Sequence, residues 1–411
     1  MTHTPATVAA PLAGVRVVDL TSVLMGPFAT QTLAEFGAEV IKVEPPEGDL
    51  VRGIGPMRHP GMGAIFINAN RGKKSVVLDL KTAFGRDALL RLAAGADVFA
   101  YNLRPQAMQR LGLGWAALRA VNPRLVYAGM FGFARGGPYS TLPAYDDIIQ
   151  GACGIAQLAG VASGGAPAYA PLALADRATG LAAVSHVLAA LLARARTGEG
   201  CAIDVTMFET MTRIVLFDHL QGETFVPAEG PTGYARHLSR YRRPYATGDG
   251  WVCALIYSDR HWQRFFDAVG RHDLLEREPE LATIEGRTRR IDELYGLGEQ
   301  ELGRRDTASA VALLESIDAP VMAMRSVDEL LSDPHLLATG FLGEEDHPSE
   351  GRLRRIGTGA TWHDHPLSTP GPAPRLGEHT REVLAALGYA RDEIERNQNP
   401  GADGRAPRPE R

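Results

Sequence analysis

Cysteine is scarce in this chain. Cys153, Cys201 and Cys253 stand far apart and form no C-x-x-C pair, which excludes a disulfide framework and a thiolate metal cluster. Idle thiols in a reducing compartment are the plain reading. Long apolar runs are also missing. The most apolar stretch, 181–195, contains His186 and Arg194 and falls short of the ~18–20 residues that span a bilayer. Charge of one sign never accumulates: the formal net charge is −5, with both signs mixed along the chain. Locally basic stretches such as 236–243 leave room for an anionic ligand, but no basic block of the kind that binds nucleic acid occurs. The opening MTHTPATVAAPLAG lacks the basic-then-apolar order of a signal peptide and reads as a floppy lead-in. A cytoplasmic enzyme or binding protein is expected, with neither membrane nor nucleic acid as partner.

What is present is ordinary globular composition: 411 residues, 45% hydrophobic and 22% charged. That length exceeds one simple core, so two domains are expected. Apolar runs at 15–20, 38–44, 75–80, 97–101, 125–131 and 202–206 read as buried strands. Between them lie helical stretches near 26–37, 83–94, 108–111, 115–121 and 177–196, several closed by Gly or Pro. Strands alternating with helices imply a parallel sheet covered on both faces, hence an α/β fold. Periodicity fails over 222–249 and resumes at Trp251 with a strand and the helix HWQRFFDAVG. The expected division is a large domain over 1–221, a linker at 222–249, a small domain over 250–330 and a return to the large domain over 331–397. The last helix is expected at 380–387, and a disordered tail over 398–411.

Several motif matches fail on context. Gly112–Ala117 fits G-x-G-x-x-A, but it follows a helical stretch instead of a strand and reads as a helix stop and restart. NANRGKKS at 68–75 has no first P-loop glycine and carries Lys74 where Ser or Thr should hold magnesium. His363, Asp364 and His365 alternate in a loop with no third ligand in view, so no metal is expected. No G-x-S-x-G elbow occurs. Asp176, in ALADRATG directly before the long helical stretch, has two readings. It is an N-cap accepting first-turn amides, or a carboxylate kept ionised by the helix N-terminus and free to attack a ligand.

The order of longer strings separates these readings. PLAGVRVVDLTSVLMGPFATQTLAEFGAEVIKVEPPEGD at 11–49 resembles the opening of the class III CoA-transferase family, the formyl-CoA and carnitine-CoA transferase type. The resemblance continues through NRGKKSVVLDLK, ADVFAYNLRP, RLGLG, NPRLVYAGMFGFARGGPY, PAYDDIIQ, LADRATG and RTGEGCAIDVTMFE, and then SDPHLLATGFL and LGEHTREVL. It is weakest over 222–330.

The resemblance implies a Rossmann-like large domain built from both ends of the chain, a smaller α+β domain between them, and an interlocked homodimer. It also implies Asp176 as a nucleophile that forms an anhydride and then an aspartyl-CoA thioester. Backbone amides near a glycine-rich turn would stabilise the oxyanions. CoA or acyl-CoA is then a substrate, with no tightly bound cofactor, and a small carboxylic acid is the acceptor. By position the CoA contacts fall on Val23, Leu24, Leu78, Asp79, Lys81, Asn102, Leu103, Arg104, Arg110 and Tyr145. The formyl-CoA enzyme has glutamine at the place of Leu24 and a four-glycine loop absent here, which argues against formyl or oxalyl transfer; it also has a CoA-contacting arginine at the place of Pro45. The related alpha-methylacyl-CoA racemases pair a His with an Asp; the His position falls on Tyr145, whose pKa near ~10 suits that base poorly. A non-catalytic CoA-binding protein is the third reading. A dicarboxylate acid would suit Arg236, His237, Arg240, Arg242 and Arg243, beside the plainer reading of a partly solvated, partly structural cluster.

Overall fold

The computed structural model describes residues 10–363, 367 and 369–398. The lead-in 1–9, Asp364 and His365 of the alternating motif, and the expected tail beyond Gln398 lie outside the described residues. Gln398 itself ends the helix Arg391–Gln398, which the sequence pattern did not reveal.

Six parallel strands form the main sheet: β1 (Arg16–Leu20), β2 (Glu39–Glu44), β3 (Lys73–Val77), β4 (Val98–Tyr101), β5 (Val126–Phe131) and β6 (Cys201–Thr206). Their spatial order is β3-β2-β1-β4-β5-β6. Val18 of β1 pairs with Ile41 of β2 on one side and Phe99 of β4 on the other. The chain therefore winds one way from β1 to β3 and the other way from β4 to β6. Between β1 and β4 lies a topological switch point, where the carboxyl ends of such sheets open a crevice for ligands.

Both faces of the sheet are covered. On one, Leu89 and Leu92 of the helix Ala83–Ala94, Leu118 of Trp115–Val121 and Leu384 and Ile394 of the C-terminal helices share a core with Val18, Ile41, Phe99 and Tyr127. On the other face lie the helix Met25–Glu35 and the long helix Leu174–Thr197, which contacts β5 and β6. The long helix has the length and composition of a membrane span. Here its apolar residues Val184, Val187 and Leu191 are buried within the fold.

A buried polar layer crosses the first three strands. Asp19 in β1 accepts Lys73 Nζ at 3.0 Å and Thr30 Oγ1 at 2.6 Å. Lys42 in β2 pairs with Asp49 at 2.9 Å. Burial works to raise the Asp19 carboxyl, but Lys73 and Lys42 outweigh it and hold the group below its usual range. Burial drives the Lys73 ammonium down to about 8 against the pull of Asp19. The string at 68–75 thus forms no phosphate loop: Asn70 closes the helix Ala64–Ala69, and Lys73 and Lys74 already belong to β3.

The chain divides into two compact units. One comprises residues up to Ile149, then Ala173–Met211 and the chain from Leu337; the other comprises Gln150–Leu172 and Thr212–Leu336. This differs from the expected division at three places, one being 331–336, which stay with the second unit. Residues 150–172 belong with the second unit, and 212–249 belong to its body and form no separate linker. Gln150 explains the place of 150–172: its side-chain amide accepts from Ala170 N and donates to Leu172 O, closing the excursion on itself. The second unit holds a small antiparallel sheet, β7 (Tyr245–Ala246), β8 (Trp251–Ala254) and β9 (Val321–Ala323), with a core that includes Trp262, Phe265, Phe266 and Leu302. Within it Arg236 donates to Tyr295 and Arg243 to Glu299, so part of the basic cluster is held structurally.

Candidate active site

The loops leaving β1, β4 and β5 converge, as the switch point requires, on a cavity of about 600 Å³. Val23 and Leu24 line it from the first loop, Asn102, Leu103 and Arg104 from the second, and Arg110 from the helix Pro105–Arg110. Tyr145 and Asp176 complete the set of expected residues brought together there. Asn102 ties two of these loops to each other. Its side chain donates to Ser22 O at 2.8 Å and accepts from Ser22 N at 3.0 Å, a bond pair that bridges the switch point.

Leu78, Asp79 and Lys81 follow β3 and do not line this cavity. Leu78 is buried in the core. Asp79 accepts Lys81 N at 2.9 Å and its carbonyl accepts Thr82 Oγ1 at 2.7 Å, so it builds the turn that precedes the helix Ala83–Ala94. Lys81 is exposed.

Asp176 is not the N-cap. The long helix starts at Leu174, with Ala173 as its cap residue, and Asp176 sits in the first turn. Its backbone N–H is satisfied by another residue: Asp146 Oδ1 accepts it at 2.9 Å. The Asp176 carboxyl is thereby spared the capping role. Position is fixed by close packing one turn on. A Cβ placed on Gly180 would meet Phe28 Cδ1 at 2.9 Å and Met25 O at 3.0 Å, so only glycine lets the long helix cross Met25–Glu35 this tightly.

The electrostatics differ from the sequence expectation of a carboxylate kept readily ionised by the helix N-terminus. Burial, then the neighbouring Asp146 charge, push Asp176 up to about 6, with Arg177 pulling the other way. Arg177 itself lies over the Phe28 ring, 4.6 Å from its centroid. Such a group is still mostly ionised at neutral pH but more basic than an ordinary carboxylate.

Two residues at the site escaped the sequence reading: Arg135, which lines the cavity, and Asp146, which accepts from Asp176 N. Arg135, in the loop after β5, donates to Tyr101 Oη at 2.9 Å and pairs with Asp204 at 2.7 Å. A cation following the carboxyl end of a third parallel strand was the available signal. Asp146 lies in the first turn of the helix Asp146–Ala152, too short to show periodicity. The Gly112–Ala117 string behaves as expected. It joins two helices, Pro105–Arg110 and Trp115–Val121, and Gly114 is the N-cap of the second. Among the described residues no group of three or more His, Cys, Asp or Glu is placed to hold a metal ion.

The sequence profile described as CoA-transferase family III matches residues 12–380. A succinate–glutarate CoA-transferase from Agrobacterium fabrum is 32% identical over 400 residues, which span 95% of this chain and 98% of that protein. A formyl-CoA:oxalate CoA-transferase from Escherichia coli O157:H7 is 31% identical, over 93% of this chain and 97% of that protein. Among solved structures, a CaiB/BaiF family protein from Brucella suis superposes with a TM-score of 0.77 at 31% identity, covering 92% of this chain and 100% of that one. A hypothetical protein from Mycobacterium tuberculosis superposes with a TM-score of 0.77 at 30% identity, over 92% and 99% of the two chains. With its parallel sheet, its switch-point cavity and a family match over nearly its whole length, the chain belongs to CoA-transferase family III and is a CoA-transferase enzyme.

Proposed function

We propose that the enzyme moves CoA from an acyl-CoA to a free carboxylic acid through covalent intermediates on Asp176. The observation that carries this reading is the Asp176 carboxyl itself: it lines the switch-point cavity, and burial and Asp146 raise its basicity. A carboxylate is a weak nucleophile, and raised basicity improves it while leaving it ionised at pH 7.

The steps balance as follows. The Asp176 carboxylate attacks the thioester carbonyl and expels CoA thiolate, giving a mixed anhydride. The thiolate attacks the Asp176 carbonyl of that anhydride, forming an aspartyl-CoA thioester and releasing the donor as its carboxylate. The acceptor carboxylate attacks the aspartyl thioester, giving a second anhydride and CoA thiolate. Attack of the thiolate on the acceptor carbonyl yields the new acyl-CoA and restores Asp176. Thioester and anhydride are close in group-transfer potential, so one exchange is divided into near-balanced steps.

Val23, Leu24, Asn102 and Leu103 would seat the thioester arm, and Tyr145, two-thirds exposed, would border it. Arg104 and Arg110 are exposed and make no ion pair among the described residues, which leaves them available to CoA phosphates. Lys81, beyond the cavity on the same edge of the sheet, would be a further phosphate contact, with Leu78 and Asp79 shaping its turn. The working assembly is a homodimer in the cytoplasm, with acyl-CoA and a small carboxylic acid as the only substrates; light scattering tests the dimer. Among the described residues lining the cavity no histidine stands beside Asp176, which favours transfer over an alpha-methylacyl-CoA racemase with paired acid and base.

The test is to incubate the enzyme with acyl-CoA and hydroxylamine and to map hydroxamate by mass spectrometry. A hydroxamate on Asp176, absent from Asp176→Ala while that variant still binds CoA, is the expected result. Full transfer activity in Asp176→Ala overturns the assignment. Incorporation of solvent deuterium at the alpha carbon of a 2-methylacyl-CoA would support the racemase reading instead.

A further inference from the structure

Val23 adopts a left-handed backbone, with φ of +70°. A β-branched side chain rarely accepts that region. Strain of this kind survives only where the surroundings over-determine it, and it gathers at ligand sites. Here the restraint is visible. The Val23 N–H donates to Asp49 Oδ1 at 3.1 Å.

Asp49 is itself held from several directions. Its other oxygen accepts Lys42 Nζ at 2.9 Å, and the two side chains are 1% and 0% exposed. Its own N–H donates to Glu44 Oε2 at 3.1 Å, and Oδ1 also accepts Val51 N at 3.2 Å. Lys42 spends a second donor on Thr21 O, at 2.8 Å. The buried ion pair therefore grips the loop after β1 at two points, the carbonyl of Thr21 and the amide of Val23, on either side of Ser22. Ser22 is the residue that Asn102 clamps from the neighbouring loop.

A buried ion pair of this kind adds little net stability over a well-packed apolar pair. Its geometry does something else: it fixes the direction in which Val23 and Leu24 face the cavity. We propose that Asp49 is a positioning residue for acyl-CoA, acting through the Val23 amide to hold the strained turn that presents Val23 and Leu24 to the thioester arm. This rests on the reading above, that the switch-point cavity takes acyl-CoA.

The experiment compares Asp49→Ala, which removes the acceptor of the Val23 N–H, in the native chain and in a chain already carrying Val23→Gly, with Asp49→Asn, which keeps that acceptor and loses the Lys42 pair, as the control. Glycine takes positive φ without cost, so it needs Asp49 less. The expected result is a rise in KM for acyl-CoA of about tenfold or more in the native chain and of less than about threefold in the Val23→Gly chain, with kcat changed less than KM in both. An equal rise in the two chains would overturn the proposal, since Asp49 would then act only through Lys42 and the core. Asp49→Ala also strips Lys42 of its partner and can unfold the chain. Val23→Pro therefore serves as a second variant: it removes the N–H and forbids positive φ, yet leaves the ion pair intact. It should raise KM about tenfold in a chain that still folds, at a lowered melting temperature because proline cannot take the native φ, and a native KM in Val23→Pro likewise overturns the proposal. CoA binding by calorimetry runs beside each assay. Failure of the Asp176 assignment would show as no hydroxamate in the native chain, while the coupling between positions 49 and 23 could still be read from CoA affinity.

Discussion

The backbone N–H of Asp176 donates to the Asp146 carboxylate across 2.9 Å, so the residue that caps the long helix is not the one that faces the cavity. One interaction has two consequences. The first-turn amide is satisfied, and a second negative charge is brought up to a carboxyl already partly withdrawn from water. Replacing Asp146 with Asn keeps the acceptor oxygen and removes the charge. Burial alone would then keep Asp176 raised, by less. The acid limb of kcat/KM should lie near pH 6 in the native enzyme and move down by up to about one pH unit in Asp146→Asn. An unmoved limb would mean that the limb reports another group.

Asp176 should also be a stability liability at neutral pH. Its folded pKa is about 6, above the ordinary value of 3.8. Between those values the folded state binds more protons than the unfolded state, so stability falls as pH rises through that window, and the full cost is present at pH 7. Asp176→Asn removes the ionisation. The variant should melt higher than the native enzyme at pH 7.5, by an amount corresponding to about 1–2 kcal/mol after allowance for solvent screening, and should show no advantage near pH 4. Thermal melts at the two pH values decide it. An advantage of equal size at both would assign the effect to packing.

Much of the framework is legible in the chain. Buried parallel strands are near-continuous apolar runs, so five of the six strands stand within a residue of where Val, Ile, Leu and Phe cluster. The exception is β3, which starts at Lys73. A lysine reads as surface, and it is Asp19, 54 positions away, together with Pro27 O, Thr30 and Asn70, that makes its burial tolerable. The same limit explains the start of the long helix. Local sequence puts an acidic cap at Asp176, but the cap comes from Asp146, 30 positions earlier, and the helix begins before it. Val23 is the clearest case of what sequence withholds: no pattern flags a valine at positive φ, because the cause is a hydrogen bond to Asp49. Arg135 falls between these cases, since its place after β5 is legible and its partners Tyr101 and Asp204 are not.

Gly180 sets how closely the long helix approaches Met25–Glu35, one turn beyond Asp176. A larger residue meets the carbonyl of Met25, which cannot swing aside as a side chain can. Gly180→Val should cost about 1–3 kcal/mol of stability by overpacking. It should also lower kcat and raise KM together, because the clash sets the element that carries Asp176 against Met25, which adjoins the Val23–Leu24 loop. Denaturant melts and steady-state kinetics measure both. Native kcat in a folded, destabilised Gly180→Val would show that the helix crossing does not set the reach of the nucleophile.

Arg135 holds the loop after β5 to β4 and β6 through Tyr101 and Asp204. Its guanidinium is about half exposed, so the pair with Asp204 contributes little to global stability. Its planar fork matters more, since two nitrogens meet the two oxygens of Asp204 while one also reaches the phenol. Lysine keeps the charge and cannot reproduce that fork. Arg135→Lys should therefore leave the melting temperature within about 2 °C of native and lower kcat/KM about three- to tenfold, through looser placement of the cavity wall. Asp204→Asn, which keeps the shape and weakens the same bonds, should fall between native and Arg135→Lys. If Arg135→Lys keeps native kcat/KM, the loop is held by its other contacts, such as the 2.9 Å bond from Phe208 N to Gly132 O, and Arg135 is only a surface charge.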